Sequence, residues 1–334
     1  MIRVAVDAMG GDRGPEEIVA GALAAASEEI VPILVGPKGL ETHGLDLVEA
    51  HDVIAMDEKP AEAVRGKPAS SLVVACRLVG EGAADAVISA GNTCAMLAAC
   101  LLELRRIPGV RRPAIAVTVP ARRRPSVLLD AGANADARPE DLVQFAYMGA
   151  VFAEEILGIR NPEVRLLSIG EEPEKGNQLT LEAHRLLAAG DLNFKGNTEG
   201  RELLVGAADV VVTDGFTGNV ALKLLEGTIK NLLEAVREEI RATLRGKLGG
   251  LLIRPAARRL RERLDPDTYG GAYLLGLRGL AVIAHGNSSR RAIANAIRLA
   301  ARGVEHDVVG RLAERVGETV LASGPSTTPD PHVR

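Results

Sequence analysis

The chain has 334 residues, of which 47% are hydrophobic, 25% are charged and only 2% are aromatic. A net charge of −4 and the lack of tryptophan offer nucleic acids neither a positive field nor a stacking surface, so nucleic-acid binding is disfavoured. Three cysteines without a CxxC pair, no secretion signal and no apolar run near the roughly 18 residues of a membrane span predict a reduced, soluble, cytoplasmic protein.

Short β-branched runs alternate with helix-length segments along almost the whole chain. Strands are predicted, in chain order, at 2–6, 31–35, 52–56, 86–89, 114–119, 126–130, 164–169, 209–213 and 280–285. Most of these runs are continuously apolar, which is typical of strands covered by helices on both faces. The pattern predicts an α/β protein, a three-layer α/β/α sandwich with a mainly parallel sheet. We predict one domain over 1–322 and a disordered tail over 323–334.

The segment at about 220–265 departs from this alternation. Apolar residues recur there at helical spacing from Val220 to Leu244, which predicts a helical hairpin projecting from the sheet. Pro255 is expected to open the second helix. Basic residues between 241 and 263 flank a short apolar tip made of Leu248, Leu251, Leu252 and Ile253. This tip predicts contact with an anionic membrane surface, and the alternative is a dimer interface with a solvated basic rim.

Six predicted strands are followed by segments in which glycine accompanies Asp, Asn, Ser, Thr or His. In chain order these segments are 7–15, 89–96, 130–141, 168–177, 213–219 and 285–292. Ligands of open parallel sheets bind beyond the carboxyl ends of the strands, so we expect the six segments to converge on one edge. Each segment alone is equally explained by a turn or a helix cap. Together they predict a crevice in which backbone N–H groups at a helix N-terminus hold an anion of phosphate size.

The motifs of common nucleotide-binding and nucleophilic sites are missing from these segments. Neither GxGxxG nor GxxxxGK[ST] is present, and Ser288 and Ser289 lack a GxSxG context. The carboxylates Asp7, Asp130 and Asp214 could hold Mg²⁺ but could equally cap helices, and we predict no metal and no other cofactor. The absence of a covalent nucleophile favours direct attack by a bound anion, with the protein supplying position and charge.

Taken together, the strand-end segments resemble the bacterial phosphate acyltransferase (PlsX) family. The resemblance runs in order from about residue 2 to 302 and rests on VAVDAMGGDRGP, VISAGNT, LLDAGAN, LLSIGEEPEKGN, GNTEGRELL, ADVVVTDGFTGNVALKLLEG and YGGAYLLGLRGLAVIAHGNSSRRAIANAI. Cys94 and Tyr273 stand where that family usually has Gly and Pro. The resemblance implies a fold similar to phosphate acetyltransferases and isocitrate dehydrogenase-like enzymes, and a homodimer that uses neither metal nor nucleotide.

The resemblance also implies a reaction. Inorganic phosphate attacks the thioester of a long-chain acyl group on acyl carrier protein, which yields acyl phosphate for a membrane glycerol-3-phosphate acyltransferase of phospholipid synthesis. The candidate catalytic residues are Lys175, Asp214, Asn219 and His285. The candidate substrate-binding residues are Asp7, Gly10, Gly11, Asn92, Thr93, Asn134, Asn177, Arg201, Thr217 and Gly218.

The segment at 213–219 is expected to form part of the phosphate and thioester site. Gly215 and Gly218 would permit close backbone approach, while Thr217 and Asn219 would donate hydrogen bonds. Asp214 is a candidate base or orienting group, because its charge opposes direct contact with phosphate.

Three further side chains complete the predicted site. Lys175 and Arg201 are the expected counter-charges, with a solvated surface ion pair as the alternative. His285 is a candidate acid or base, and a structural histidine is the alternative. Two other functions stay open at this point: an NAD(P)-dependent dehydrogenase of the related fold, or a non-catalytic acyl- or phosphate-binding scaffold. The expected location is the cytoplasm, peripherally associated with the inner face of the membrane.

Overall fold

Eleven strands form one sheet within residues 1–323, which are the residues that this computed structural model describes. The strands are β1 (Ile2–Asp7), β2 (Ile30–Gly36), β3 (Asp46–Glu49), β4 (Ala86–Ser89), β5 (Ala114–Val119), β6 (Ser126–Leu129), β7 (Val164–Ser168), β8 (Phe194–Glu199), β9 (Val210–Val212), β10 (Ala272–Leu275) and β11 (Leu280–Ile283). Their order across the sheet is β3-β2-β1-β4-β11-β10-β5-β6-β9-β7-β8.

Helices cover the sheet on both faces. They are α1 (Gly14–Ala25), α2 (Pro60–Gly66), α3 (Ser71–Gly80), α4 (Thr93–Glu103), α5 (Pro139–Leu157), α6 (Gln178–Ala188), α7 (Gly215–Ala242), α8 (Leu244–Leu264), α9 (Arg290–Glu305) and α10 (Val308–Ser323). One apolar layer packs α1, α5, α6, α9 and α10 against the sheet, and the other packs α2, α3, α4 and α7. The predicted three-layer sandwich is therefore confirmed.

Strand direction divides the sheet into two opposed sets. Strands β1 to β5 and β11 run one way, whereas the consecutive strands β6 to β10 run the other way. Seven of the ten neighbouring pairs are parallel, so the sheet is mainly parallel, as predicted. The antiparallel pairings are confined to the centre, at β11–β10–β5–β6.

This reversal corrects the expectation that six strand ends meet at one edge. The carboxyl ends of β1, β4 and β11 lie at one edge of the sheet, which we call the β1 edge. Those of β6, β7 and β9 lie at the opposite edge, the β9 edge. The expectation was wrong because apolar runs identify buried strands but carry no information about their direction.

One predicted strand is wrong, and three strands of the sheet were not predicted. The predicted strand at 52–56 is a loop, in which Val53 O accepts from Lys67 Nζ at 2.9 Å and Ala55 N donates to Glu58 at 2.7 Å. Strands β3 and β8 were not predicted, because they are polar and are the outermost strands in the order across the sheet. The four-residue strand β10 was also missed.

The hairpin at 220–265 consists of the long helices α7 and α8. Helix α8 begins at Leu244, because the Thr243 side chain caps it by accepting from Gly246 N at 2.9 Å. Pro255 therefore lies inside α8 rather than at its start, which corrects that prediction. No residue of α8 is buried.

Almost all of the predicted disordered tail lies outside the described residues. The tail predicted at 323–334 starts on the last residue of α10, and 324–334 lie outside the described residues. Across residues 1–323, every helix is too short or too polar to cross a membrane.

Candidate functional site

The predicted site residues form two clusters at opposite edges of the sheet. The β1-edge cluster contains Asp7, Gly10, Gly11, Asn92, Thr93 and His285. The β9-edge cluster contains Asn134, Lys175, Asn177, Arg201, Asp214, Thr217, Gly218 and Asn219. Each cluster is assembled by strands that are neighbours in the sheet, so the topology groups the residues but does not unite them at one edge.

At the β1 edge, Asp7 is a buried organiser of two turns. Its carboxylate accepts from Ser89 Oγ at 2.7 Å and from Met9 N at 3.3 Å, while Ser89 Oγ accepts from Gly91 N at 3.0 Å. A Cβ at Gly10 would lie 2.7 Å from Asp7 Oδ2, so the first glycine turn packs directly on this carboxylate. Burial raises the pKa of Asp7. Asp7 therefore holds the turns in place and has no exposed oxygen to offer a substrate.

The other β1-edge groups differ in how free they are. Asn92 caps α4, since its Oδ1 accepts from Cys94 N at 3.0 Å and from Ala95 N at 3.1 Å. Thr93, the first residue of α4, is exposed. His285 is partly exposed and its Nε2 lies 3.6 Å from Glu226 Oε1. Of the predicted residues at this edge, Thr93 and His285 present the freest side chains.

At the β9 edge, the turn after β6 closes around a carboxylate that was not among the predicted site residues. Asp130 is completely buried, and its Oδ1 accepts from Gly132 N at 3.1 Å and Ala133 N at 2.9 Å. Its Oδ2 accepts from both N and Nδ2 of Asn134 at 2.8 Å. Asn134 Nδ2 also donates to Pro113 O at 2.7 Å, so this amide is occupied within the protein and does not extend into the site.

The N-terminus of α7 is largely satisfied by the protein itself. Asp214 caps the helix, with Oδ1 accepting from Thr217 N at 2.9 Å and Oδ2 accepting from Thr217 Oγ1 at 2.7 Å. Gly215 N donates to Asn134 O at 2.8 Å. The predicted cradle of free N–H groups at this helix end is therefore corrected, because two of the first three are already bonded.

The two glycines of this helix end serve packing rather than ligand approach. A Cβ at Gly215 would lie 2.6 Å from Asn134 O, and one at Gly218 would lie 1.9 Å from Asp130 O. The close approach is thus made by the turn at 130–134, which corrects the expectation that a substrate makes it. The exposed Asn219 follows, and its side chain lies against Gly132, where a Cβ would be 3.4 Å from Asn219 Cβ.

The loop after β7 presents Lys175. Ser168 Oγ donates to Lys175 O at 2.9 Å, and Asn197 Nδ2 donates to Glu172 O at 2.8 Å, so β7 and β8 each hold one carbonyl of the loop. The Lys175 side chain is exposed, and within residues 1–323 it forms no ion pair. Asn177 ends the loop by capping α6. Lys175 is thus a free cation on an anchored loop.

Arg201 instead matches the alternative of a surface ion pair. Its Nε lies 2.8 Å from Glu199 Oε2, and its Nη2 lies 3.8 Å from Glu171 Oε1. The guanidinium is largely exposed. Because these carboxylates already neutralise it, Arg201 is a weaker counter-charge for phosphate than Lys175.

A cavity of about 420 Å³ opens beside the capped helix end. Its lining combines apolar and polar groups: Ala135, Asp136, Ala137, Asn177, Leu179, Asp214, Phe216 and Thr217. Two carboxylates in this lining disfavour a phosphate inside the cavity and suit an uncharged substrate portion. Nowhere in residues 1–323 are three or more His, Cys, Asp or Glu side chains grouped as a metal site would require.

Helix α7 connects the two clusters. It starts at the β9 edge, and Glu226, eleven residues after Gly215 and so about 16 Å along the helix axis, reaches His285 of the β1-edge cluster. On this face α4 contacts β11 and α7 contacts β6, so β10 and β5 lie between the two helices. Val117 and Ala272 of these strands are only partly buried, which leaves an apolar floor between the clusters.

The chain matches a family model and is similar to named proteins over nearly its full length. The family model described as "Fatty acid synthesis protein" matches residues 2–311. The chain is 48% identical to the phosphate acyltransferase of Heliobacterium modesticaldum over 94% of this chain and 98% of that protein. It is 49% identical to the phosphate acyltransferase of Desulfitobacterium hafniense, with 95% and 98% covered.

Solved structures share the fold at low identity. A phosphotransacetylase from Streptococcus pyogenes has a TM-score of 0.59 and 18% identity, with 91% of this chain and 94% of that chain covered. A branched-chain phosphotransacylase from Enterococcus faecalis has a TM-score of 0.58 and 18% identity, with 92% and 100% covered. The expected phosphate acetyltransferase-like fold is thereby confirmed.

We predict opposite effects of alanine at two glycines of α7. Gly218→Ala should destabilise the protein by at least about 1–3 kcal/mol, because its Cβ would collide with Asp130 O. Gly227→Ala, whose Cβ would meet nothing within 4 Å, should instead stabilise the helix by roughly 0.5–1 kcal/mol. Urea unfolding of both variants measures the difference, and equal stabilities would contradict the packing described for Gly218.

Proposed function

The chain belongs to the fatty acid synthesis protein family, and from that membership we propose that it transfers a long-chain acyl group from acyl carrier protein to inorganic phosphate. The observation that carries this proposal is 48% identity, over nearly the full length, to a protein named phosphate acyltransferase. The same relationship does not favour a dehydrogenase or a non-catalytic scaffold. The product, acyl phosphate, would supply a membrane glycerol-3-phosphate acyltransferase.

The reaction needs an attacking anion, a stabilised oxyanion and a departing thiolate. A phosphate oxygen attacks the thioester carbonyl carbon, a C–O bond forms, and the C–S bond breaks as the tetrahedral intermediate collapses. The free cation of Lys175 would hold phosphate, and the exposed amide of Asn219 would donate to the oxyanion. Asp214 would act by holding Thr217 through its two capping bonds rather than by contacting phosphate.

His285 has a different place in this scheme. Glu226, its neighbour, lies seven residues beyond Asn219, which is roughly 10 Å along α7. The acyl chain would extend over the partly exposed Val117 and Ala272 between the clusters. The bound chain would itself exclude water from this apolar floor. We therefore propose that the reaction takes place at the β9-edge cluster. His285 would bind a part of the substrate that does not react.

We also propose that the protein is a homodimer. Val220, Leu224, Leu232 and Val236 lie four or eight residues apart on α7, and all four are exposed. At roughly 100° per residue this row winds about 160° around the helix between Val220 and Val236. A row of exposed apolar side chains of this kind is typical of a protein–protein interface. Pairing of two copies through α7 would cover it.

The apolar segment predicted as a tip lies in the first half of α8, just after the connection at Thr243, and it supports peripheral membrane association on the cytoplasmic side. Leu248, Leu251, Leu252 and Ile253 are all exposed, and basic residues flank them. Each basic residue near an anionic surface contributes about 1 kcal/mol, and each inserted Leu or Ile roughly 1.5–3 kcal/mol. Even partial engagement gives reversible binding. This position would deliver a labile acyl phosphate directly to a membrane enzyme.

Thiol release from long-chain acyl carrier protein, with and without phosphate, tests the reaction. We expect thiol release, and acyl phosphate detected by ³¹P NMR, only when phosphate is present. Lys175→Ala and Asn219→Ala should each lower kcat by about 100-fold, as expected for loss of a charge or an oxyanion donor. Lys195→Ala, which removes another exposed lysine, serves as the control and should leave kcat unchanged. Equal release without phosphate would indicate a thioesterase instead.

His285→Asn belongs in the same assay. Because His285 is assigned to a non-reacting part of the substrate, the variant should raise the KM for the carrier-protein substrate while kcat stays near that of the wild type. A fall in kcat with an unchanged KM would move His285 among the reacting groups.

Flotation with anionic vesicles at low salt tests membrane association. The wild type should float, and the double variant Leu251→Glu with Leu252→Glu should remain in solution while keeping its activity and its dimeric mass by light scattering. Leu102→Glu, at an exposed apolar position on α4, is the control and should still float. A wild type that does not float at low salt would refute the membrane proposal.

A further inference from the structure

The turn at 130–134 is organised by a single buried carboxylate. Asp130 accepts five hydrogen bonds, three of them at Oδ1, where the donors include Ile115 N of β5 at 3.0 Å. The other two come from Asn134 at Oδ2. Burial raises the pKa of this carboxyl group, while the hydrogen bonds from Ala133, Ile115, Gly132 and the Asn134 side chain oppose that rise. A side chain with so many donors holds both the turn and its strand neighbour in one arrangement.

The same turn fixes the start of α7. Asn134 O accepts from Gly215 N at 2.8 Å, and Asp130 O occupies the space that a side chain at Gly218 would need. The helix therefore sits directly on the turn, without an intervening side chain at these two positions. Any shift of the turn must move the first helical turn with it.

Asn219 lies in the first turns of α7, and its polar side chain is exposed beside this junction. It packs on Gly132, whose φ of +136° is a conformation that favours glycine. Within residues 1–323 its amide forms no hydrogen bond with the protein. Nothing but the junction thus orients the amide before a substrate binds.

We propose that Asp130 is a positioning residue for the acyl transfer, which sets the place of the Asn219 amide through the turn at 130–134 and the start of α7. The inference rests on the proposed function of Asn219 as the oxyanion donor. Asp130 touches no substrate in this role, because it is fully buried beneath the turn.

The variant Asp130→Asn tests this positioning role most directly. Its Oδ1 can still accept from the three amides, but an Nδ2 group in place of Oδ2 faces two donors of Asn134. Opposed donors push Asn134 away, and Gly215, which donates to Asn134 O, moves with it. The change keeps the side-chain volume, so it alters the position of the turn rather than its packing.

A double-mutant cycle with Asn219→Ala separates positioning from general destabilisation. We expect Asp130→Asn to lower kcat about 10–100-fold when Asn219 is present, since small displacements of a catalytic donor have effects of this size. In the Asn219→Ala background the same substitution should change kcat by less than about threefold, because the group it positions is gone. Equal losses in both backgrounds would overturn the proposal.

Asp209→Asn is the matched control. Asp209 is a buried carboxylate immediately before β9, the strand that leads into α7, where Oδ2 accepts from Glu163 N at 2.8 Å and Oδ1 lies 2.6 Å from Arg124 Nη2. It should lose stability without a change in the kcat of the folded protein. If Asp130→Asn does not fold, Asn134→Ala, which removes one donor to Asp130, replaces it in the cycle with the same non-additivity expected.

A measurement independent of activity distinguishes failure of this inference from failure of the proposed function. With ¹⁵N-labelled asparagine, the side-chain NH₂ signal of Asn219 is assigned by its loss in Asn219→Ala. That signal should shift in Asp130→Asn and stay unchanged in Asp209→Asn. An unshifted signal would refute the positioning role even if the wild type makes acyl phosphate. A shifted signal without phosphate-dependent activity would refute only the reaction.

Discussion

The antiparallel pairing of β5 with β6 is the constraint on which the arrangement of this protein depends. Val117 pairs with Leu128 and Val119 with Ser126, so the chain turns back after β5 and the next strands run in the reversed direction. Each glycine-rich segment follows a strand, so its edge of the sheet is decided by that strand's direction. The reversal thereby separates the turns after β1, β4 and β11 from those after β6, β7 and β9.

Helix α7 compensates for this separation. It begins at one edge, crosses one face of the sheet and brings Glu226 beside His285 near the other edge. A helix of 28 residues is about 42 Å long, far more than the four- to six-residue strands beneath it require. The excess length leaves the sheet as the hairpin. One element therefore connects the two clusters and also forms the projecting surface with the exposed apolar residues.

Buried and exposed polar groups have complementary tasks in both clusters. Asp7 and Asp130 are inaccessible to solvent, and their carboxylate oxygens accept hydrogen bonds from backbone and side-chain donors of the glycine turns. Lys175 and Asn219 are exposed on the segments that such bonds anchor, and neither side chain has a polar partner among residues 1–323. Buried carboxylates are tolerated because they are fully hydrogen-bonded, and the rigidity that results keeps the free groups in place before a substrate arrives.

The sequence by itself determined the fold class, eight of the predicted strands, the helical hairpin and the composition of the strand-end turns. These follow from local patterns, because burial on both faces requires apolar runs, and chain reversal requires glycine and capping side chains. The sequence also indicated the family relationship, since motifs in a fixed order can be recognised without knowledge of the fold.

Only the tertiary structure decided which of these residues are free. Gly215 and Gly218 read as space for a ligand, yet the turn at 130–134 fills that space. Asn134 read as a ligand group, yet Asp130 and Pro113 O occupy its amide. Asp130 itself gave no signal beyond a possible Mg²⁺ ligand or helix cap. The physical reason is that hydrogen-bond partners distant in sequence, and the direction of each strand, are set by packing across the sheet and leave no trace in local spacing.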